Sequence, residues 1–153
     1  MKSTWRIATE GKTYSATDLS GEGASRTGGR WNSMGLRMVY SAGSASLACL
    51  ETLVHIQNDL PLNRYLIRID IPDSIWNKRK KLNGLPGWDA EPAGLASINF
   101  GDIWLTECES ALLEVPSVIV PEESNFLINP LHKDAKKIKA INVRKWIYSK
   151  RLK

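Results

Sequence analysis

The sequence predicts a mixed α/β domain of the α+β kind, with one or two curved sheets, flanking helices and a cleft. Three observations carry that expectation. Tyr65 to Ile71 alternates as a half-buried strand does, with Tyr65, Ile67, Ile69 and Ile71 on one face and Arg68 and Asp70 on the other. Ser44 to Gln57 is apolar around much of a helical circumference. The order strand, loop, strand, helix, strand, helix, then several short strands fits neither regular β–α–β alternation nor an all-β sandwich.

Size and composition agree. A chain of 153 residues is read as one domain, 1–153, large enough for a single core. Its 42% hydrophobic and 24% charged residues are ordinary for a soluble globular protein. No apolar run approaches the ~18 residues that span a bilayer. Met1-Lys2-Ser3-Thr4-Trp5-Arg6 leads into a strand-like pattern without a signal peptide's apolar core, so no membrane and a cytoplasmic location are expected. Cys49 and Cys108 lack metal-type spacing and companion histidines, which makes both expected buried thiols.

Charge is uneven. Nine Lys or Arg against the single acid Asp134 give residues 133–153 a charge of +8, and since the whole chain carries +5 the rest carries −3. A basic tail can bind nucleic acid or an acidic protein surface, or be a solvated face. Neither zinc-finger spacing nor an aromatic ribonucleoprotein motif accompanies it.

Along the chain, Thr4 to Ala8 alternates as a short strand, with Trp5 and Ile7 on one side and Arg6 on the other. Arg6 is then either an exposed strand charge or aimed into a cleft. Tyr14 to Ser20 is turn-like, and Gly21-Glu22-Gly23 opens a flexible loop. The glycines miss the Gly-x-Gly-x-x-Gly pattern because Arg26 takes the third place, and no Gly-Lys-Ser/Thr phosphate loop occurs. Residues 25–35 nonetheless suit an anion. Gly28 and Gly29 let backbone N–H groups approach a ligand, and Arg26 or Arg30 can grip phosphate oxygens bidentately. Trp31 offers a flat surface for a ring. The alternative is a surface loop whose tryptophan plugs the core.

Leu36 to Ala42 reads as a strand carrying Met38 and Tyr40 on one face. Gly43 makes a tight link to Ser44, a good N-cap for the helix that follows. On that helix Glu51 falls inside the apolar stripe, a costly place for an acid unless it is paired or functional, and His55 lies one turn further along as a candidate partner. Pro72 ends the Tyr65–Ile71 strand. Lys78 to Lys81 is expected as a solvated loop, and residues 83–94 as an irregular crossing anchored by Trp88. Ala96 to Glu107 is expected helical, with Ile98, Ile103, Trp104 and Leu105 toward the core. Ala111–Val115 and Val118–Val120 read as strands split by Pro116 and Ser117. Ser117 has no neighbouring base and no Gly-x-Ser-x-Gly elbow, so it is no nucleophile. Asn125 to Pro130 is extended, Ala135 to Ala140 a short helix, Ile141 to Tyr148 a last strand, and Ser149 to Lys153 a frayed end.

Chemistry here has to come from Arg, Tyr, Glu, Ser and Asn, since metal-ligand clusters and a Cys/His pair are absent from the sequence. Arginines with glycine N–H groups favour a phosphate-bearing ligand, and a carboxylate in an apolar wall favours stabilising a developing cation. Cleavage of the nicotinamide–ribose bond of NAD is one reaction of that description, among several phosphoester and glycoside reactions.

The pieces Arg6, Gly28-Gly29-Arg30-Trp31-Asn32, Val39 to Ala42, Ala48 to His55, Gly101 to Leu105, Val115 to Pro121, then Asn125 and Asn129 to His132, taken in this order over nearly the whole chain, resemble the RES-domain family. The three residues that name the family correspond to Arg30, Glu51 and Ser117. The resemblance implies an ADP-ribosyltransferase-like fold of the diphtheria-toxin type around an NAD cleft, and a bacterial toxin that degrades NAD to nicotinamide and ADP-ribose and arrests growth. NAD is then the substrate, with no further cofactor and no metal. Its implied partner is an Xre-like helix-turn-helix antitoxin, with DNA contacted only through that partner and a homodimer expected within the complex. Carried over, Arg6 and Arg30 would hold phosphates or ribose, Tyr40 would stack on nicotinamide, Glu51 would stabilise the oxocarbenium-like state and Ser117 would line the pocket. Trp31, Asn32, Asn129 and His55 are secondary candidates. Phosphorolysis, transfer of ADP-ribose to a protein, and a non-enzymatic module working through the basic tail are the alternatives.

Overall fold

Seven strands and four helices build the molecule, which is described by a computed structural model over residues 1–152. In chain order they are β1 (Lys2–Thr9), α1 (Glu22–Thr27), β2 (Val39–Ala42), α2 (Ala45–Leu53), β3 (Arg64–Ile71), α3 (Asp73–Asn77), β4 (Lys80–Lys81), α4 (Leu95–Glu107), β5 (Leu112–Pro116), β6 (Ser124–Ile128) and β7 (Lys139–Trp146). The strands form one sheet in the order β4-β5-β6-β2-β1-β3-β7, antiparallel throughout except for the short β4–β5 edge. The mixed α/β expectation holds, with a single sheet.

Both faces of the sheet are covered. The clean alternation of β3 places Ile67, Ile69 and Ile71 in one cluster with Val39, Phe126 and Ile128. Each such side chain contributes roughly 1.5–3 kcal/mol on burial. Leu66 points the other way and is buried as well, among Ile7, Leu47, Ala48 and Leu53 under α2. A third cluster gathers Trp31, Met38, Trp104, Leu113 and Leu127 beside α4. Among the described residues no helix is long and apolar enough to cross a membrane.

Several local expectations are corrected, each for a tertiary reason. Residues 22–27 are helical where a flexible glycine loop was expected. Gly21 turns the chain at φ 74°, and later residues complete the helix, the Asn32 amide donating to Ala24 O at 2.9 Å and Gly35 N to Ser25 O at 2.7 Å. Residues 36–38 precede β2 rather than belonging to it. Ser44 caps α2 as expected, accepting from Leu47 N at 3.1 Å, but the helix stops at Leu53 instead of Gln57. There Thr52 donates to Cys49 O, and His55 and Ile56 form tighter three-residue turns.

Asp73–Asn77 forms a helical turn after Pro72, and Lys80–Lys81 pairs with β5 instead of looping in solvent. Its neighbour Arg79 reaches Glu114 at 2.7 Å and lies over the Trp76 ring. On α4, Trp104 and Leu105 are buried, whereas Ile103 is 56% exposed. Gly101 is the closest approach: a Cβ there would sit 1.7 Å from Trp31 O, so this helix can meet the 29–32 turn only through a glycine. Residues 118–120 form a bend and not a strand, because the Ser117 hydroxyl takes the N–H groups of Ile119 and Val120. Residues 135–137 are a short 3₁₀ turn, and β7 starts at Lys139. Residues 150–152 form another such turn, while Lys153, part of the expected frayed end, lies outside the described residues. Cys49 is a buried free thiol, but Cys108 is exposed, since it ends α4 in the left-handed conformation at φ 51°.

Candidate active site

β1 and β2 share only the pair Trp5–Ala42 in register, so the strands part beyond it, and Arg6 and Tyr40 line the opening. The resulting cleft has two lobes of about 400 and 840 Å³, the size range of small-molecule sites. Arg6, Tyr40, Glu51, His55 and Asn125 line both lobes and so mark the seam between them. Trp5, Thr52, Arg64 and Tyr148 belong to the smaller lobe, and Asp18, Gly28, Arg30 and Glu91 to the larger.

Glu51 is braced rather than loose. Its Oε1 accepts from Ser117 Oγ at 2.7 Å and from Asn125 Nδ2 at 2.8 Å. Both donors come from the far end of the chain, one at the bend after β5 and one on β6. Ser117 is fully buried and is itself oriented by the two backbone N–H groups it accepts. It reaches the cleft only through Glu51, which makes it a positioning residue. The expected Glu51–His55 contact does not form, because α2 ends before His55 and that side chain is exposed. His55 still faces both lobes.

Arg6 has a buried Nε with no hydrogen-bond partner. Burial pulls its pKa below the ordinary guanidinium range, with Asp18 acting in the other direction. An arginine keeps its charge under such a shift. A buried, charged donor without an acceptor is costly unless something anionic approaches it. Asn125 Oδ1 is also buried and unpartnered. These two orphaned atoms, both on cleft-lining side chains, are what a polar ligand would complete.

Tyr40 is fixed by its hydroxyl, which donates to Asn32 Oδ1 at 2.6 Å and accepts from Trp31 N at 3.0 Å. Burial raises its pKa, against the opposing pull of the Trp31 N–H, so it stays a neutral phenol. Gly29 allows this arrangement, since a Cβ there would lie 2.6 Å from the Tyr40 hydroxyl. The remaining sequence candidates divide. Trp31 lines the larger lobe but is only 3% exposed and packs edge-on against Phe100. Asn32 spends its amide on Ala24, Ser33 and Leu36 carbonyls, knotting the loop. Asn129 is buried at the end of α4, donating to Leu105 O at 3.0 Å, and lines neither lobe. Arg30 lines the larger lobe with its guanidinium held by the 83–94 crossing, donating to Trp88 O at 3.1 Å, to Ala90 O at 2.8 Å and to the Glu91 carboxylate.

Sequence reasoning missed three participants. Asn125 was legible as one piece of the family's ordered motifs, but without a role in the site. Thr52 and Tyr148, joined by a 2.7 Å hydrogen bond, wall the smaller lobe from α2 and the last residues after β7, and burial raises the Tyr148 pKa. No local pattern announces a contact between residues so far apart.

The RES domain family matches residues 3–150. A Sphingobium protein named "Prs ADP-ribosylating toxin" is 58% identical over 97% of this chain and 94% of its own length. Proteins named "Toxin Res" from Pseudomonas putida and Yersinia enterocolitica are 39% and 44% identical, over 88% and 78% of this chain and 89% and 80% of their own lengths. The chain belongs to the RES-domain family.

Proposed function

We propose that this chain is a toxin that consumes NAD by cleaving the nicotinamide–ribose bond. The observation that carries the reading is the seam: a carboxylate, Glu51, braced by two donors on one oxygen, lines the same two lobes as an arginine whose Nε has no partner. Such a carboxylate stabilises positive charge developing on the ribose as nicotinamide leaves, without moving to do so. Arg6 would take the adjoining phosphate or ribose, and Tyr40 would offer its ring to nicotinamide. The two lobes suit a substrate with two halves.

The braced carboxylate supports this first step and leaves the acceptor of ADP-ribose to be named. The name of the Sphingobium relative favours a protein acceptor, whereas water or phosphate would make the chain an NAD-degrading enzyme. The toxin reading also supposes a cytoplasmic location and an Xre-like helix-turn-helix antitoxin, with operator DNA touched through that partner and a homodimer inside the complex.

The test is nicotinamide release from NAD by the purified chain. No release by the wild type, or undiminished release by Glu51→Ala, refutes the reading. With NAD labelled in its adenylate, label in precipitated protein identifies transfer, and label only in small molecules identifies degradation. If the basic residues 133–153 acted alone, deleting them would abolish toxicity while Glu51→Ala left it intact.

A further inference from the structure

The larger lobe is lined by two arginines, Arg6 and Arg30, and by four carboxylates, Asp18, Glu22, Glu51 and Glu91, of which Asp18 and Glu91 are held differently. Asp18 is tied to Ser20, which donates to it from both its backbone and its hydroxyl, at 3.3 and 2.7 Å. The Glu91 carboxylate accepts from Nη2 of Arg30, and its side chain is 67% accessible while that of Arg30 is 18% accessible. The guanidinium does not depend on Glu91 for its placement. Nη1 already donates to the carbonyls of Trp88 and Ala90, which anchor it to the crossing. Glu91 therefore adds charge neutralisation at Nη2, one of the two guanidinium nitrogens the carbonyls leave over. Exposed ion pairs of this kind are weak and exchange readily. A diphosphate offers Arg30 more negative charge than a single carboxylate on a solvated loop.

We infer that Glu91 is an intramolecular competitor for a ligand phosphate at Arg30, and so a residue that sets specificity for diphosphate-bearing ligands. A ligand with a diphosphate displaces the carboxylate and takes over Nη2. A neutral ligand has nothing to offer there and gains nothing from the site. The identity of the diphosphate as that of NAD rests on the function proposed above; the competition at Arg30 does not.

The test titrates inorganic pyrophosphate, ADP-ribose and nicotinamide separately into the full-length wild type, Glu91→Gln and Glu91→Ala, following heat of binding. Removing the competitor should tighten pyrophosphate and ADP-ribose by about threefold to tenfold and leave nicotinamide unchanged. Unchanged or weaker binding of both anions in both variants overturns the inference, as does failure of all three proteins to bind pyrophosphate, or an equal gain for nicotinamide, which would mark Glu91 as a steric lid. Tighter pyrophosphate with no ADP-ribose binding by any of the three proteins leaves the competition standing and removes the NAD reading. ADP-ribose binding that ignores the substitutions does the reverse.

Discussion

The two sides of the cleft solve opposite problems. On the framework side, Arg6, Tyr40, Glu51 and Asn125 sit on β1, β2, α2 and β6, and two of their buried polar atoms lack a partner. On the loop side, Arg30 and the 88–91 segment satisfy one another through three contacts. Sequence reasoning treated Arg6 and Arg30 alike, as grips for phosphate. Their difference teaches that an arginine's availability is decided by which acceptors the fold brings to it. Regular elements spend their backbone groups in ladders and helices, so nothing remains to saturate Arg6. An irregular crossing has spare carbonyls, and Arg30 collects two of them.

The contrast can be broken at its strongest point first. Glu51→Gln keeps the shape of the side chain and its bond from Ser117 while removing the charge. On the proposed function, nicotinamide release should fall about 10²–10⁴-fold with little change in thermal midpoint. A comparable loss from Glu91→Gln would erase the distinction between the two sides.

Tyr40→Phe comes next, and its main effect is on stability. It leaves Trp31 N and Asn32 Oδ1 without their shared partner, at a cost of roughly 1–3 kcal/mol measurable by urea unfolding. The sign of its pH dependence follows from the raised pKa. The stabilisation is whole below the unfolded-state tyrosine value of ~10 and is lost as pH climbs from there toward the higher folded value. Tyr40→Phe should therefore flatten part of the alkaline loss of stability, with further parts belonging to Tyr148 and Cys49, whose pKa values are also raised by burial.

Replacing each arginine by glutamine sharpens the comparison further. Arg6→Gln should raise the KM for NAD about tenfold, ~1.4 kcal/mol, without loosening any loop. Arg30→Gln should also raise KM, and in addition make the 83–94 crossing cut faster in limited proteolysis, because its carbonyl anchors are gone. Equal proteolysis of the two variants would count against the anchoring role. Smallest of all, Arg26→Ala breaks an exposed i,i+4 pair with Glu22 and should move the thermal midpoint by no more than about 1 °C. A larger shift would show that α1 contributes more to the loop side than its exposure suggests.

Local pattern determined much of this protein. The period-two run of β3 and the Ser44 cap are properties of neighbouring residues and appear where expected, and the apolar face of α2 does so through Leu47, Ala48 and Leu53, while Leu50 and Val54 are exposed. The misplacement of Glu51 on an apolar helix was legible too, because the cost of burying a lone carboxylate does not depend on the rest of the fold. The family's ordered motifs supplied Arg6 and Ser117 as companions. What tertiary structure alone decided is which groups meet. Glu51 is 66 residues from Ser117 and 74 from Asn125, Arg30 is 58 from Trp88, and Thr52 is 96 from Tyr148. Hydrogen bonds act over about 3 Å, so no spacing along the chain encodes them. They follow from sheet order, from the single registered pair that lets β1 and β2 part, and from a glycine at 101 that admits the Trp31 turn.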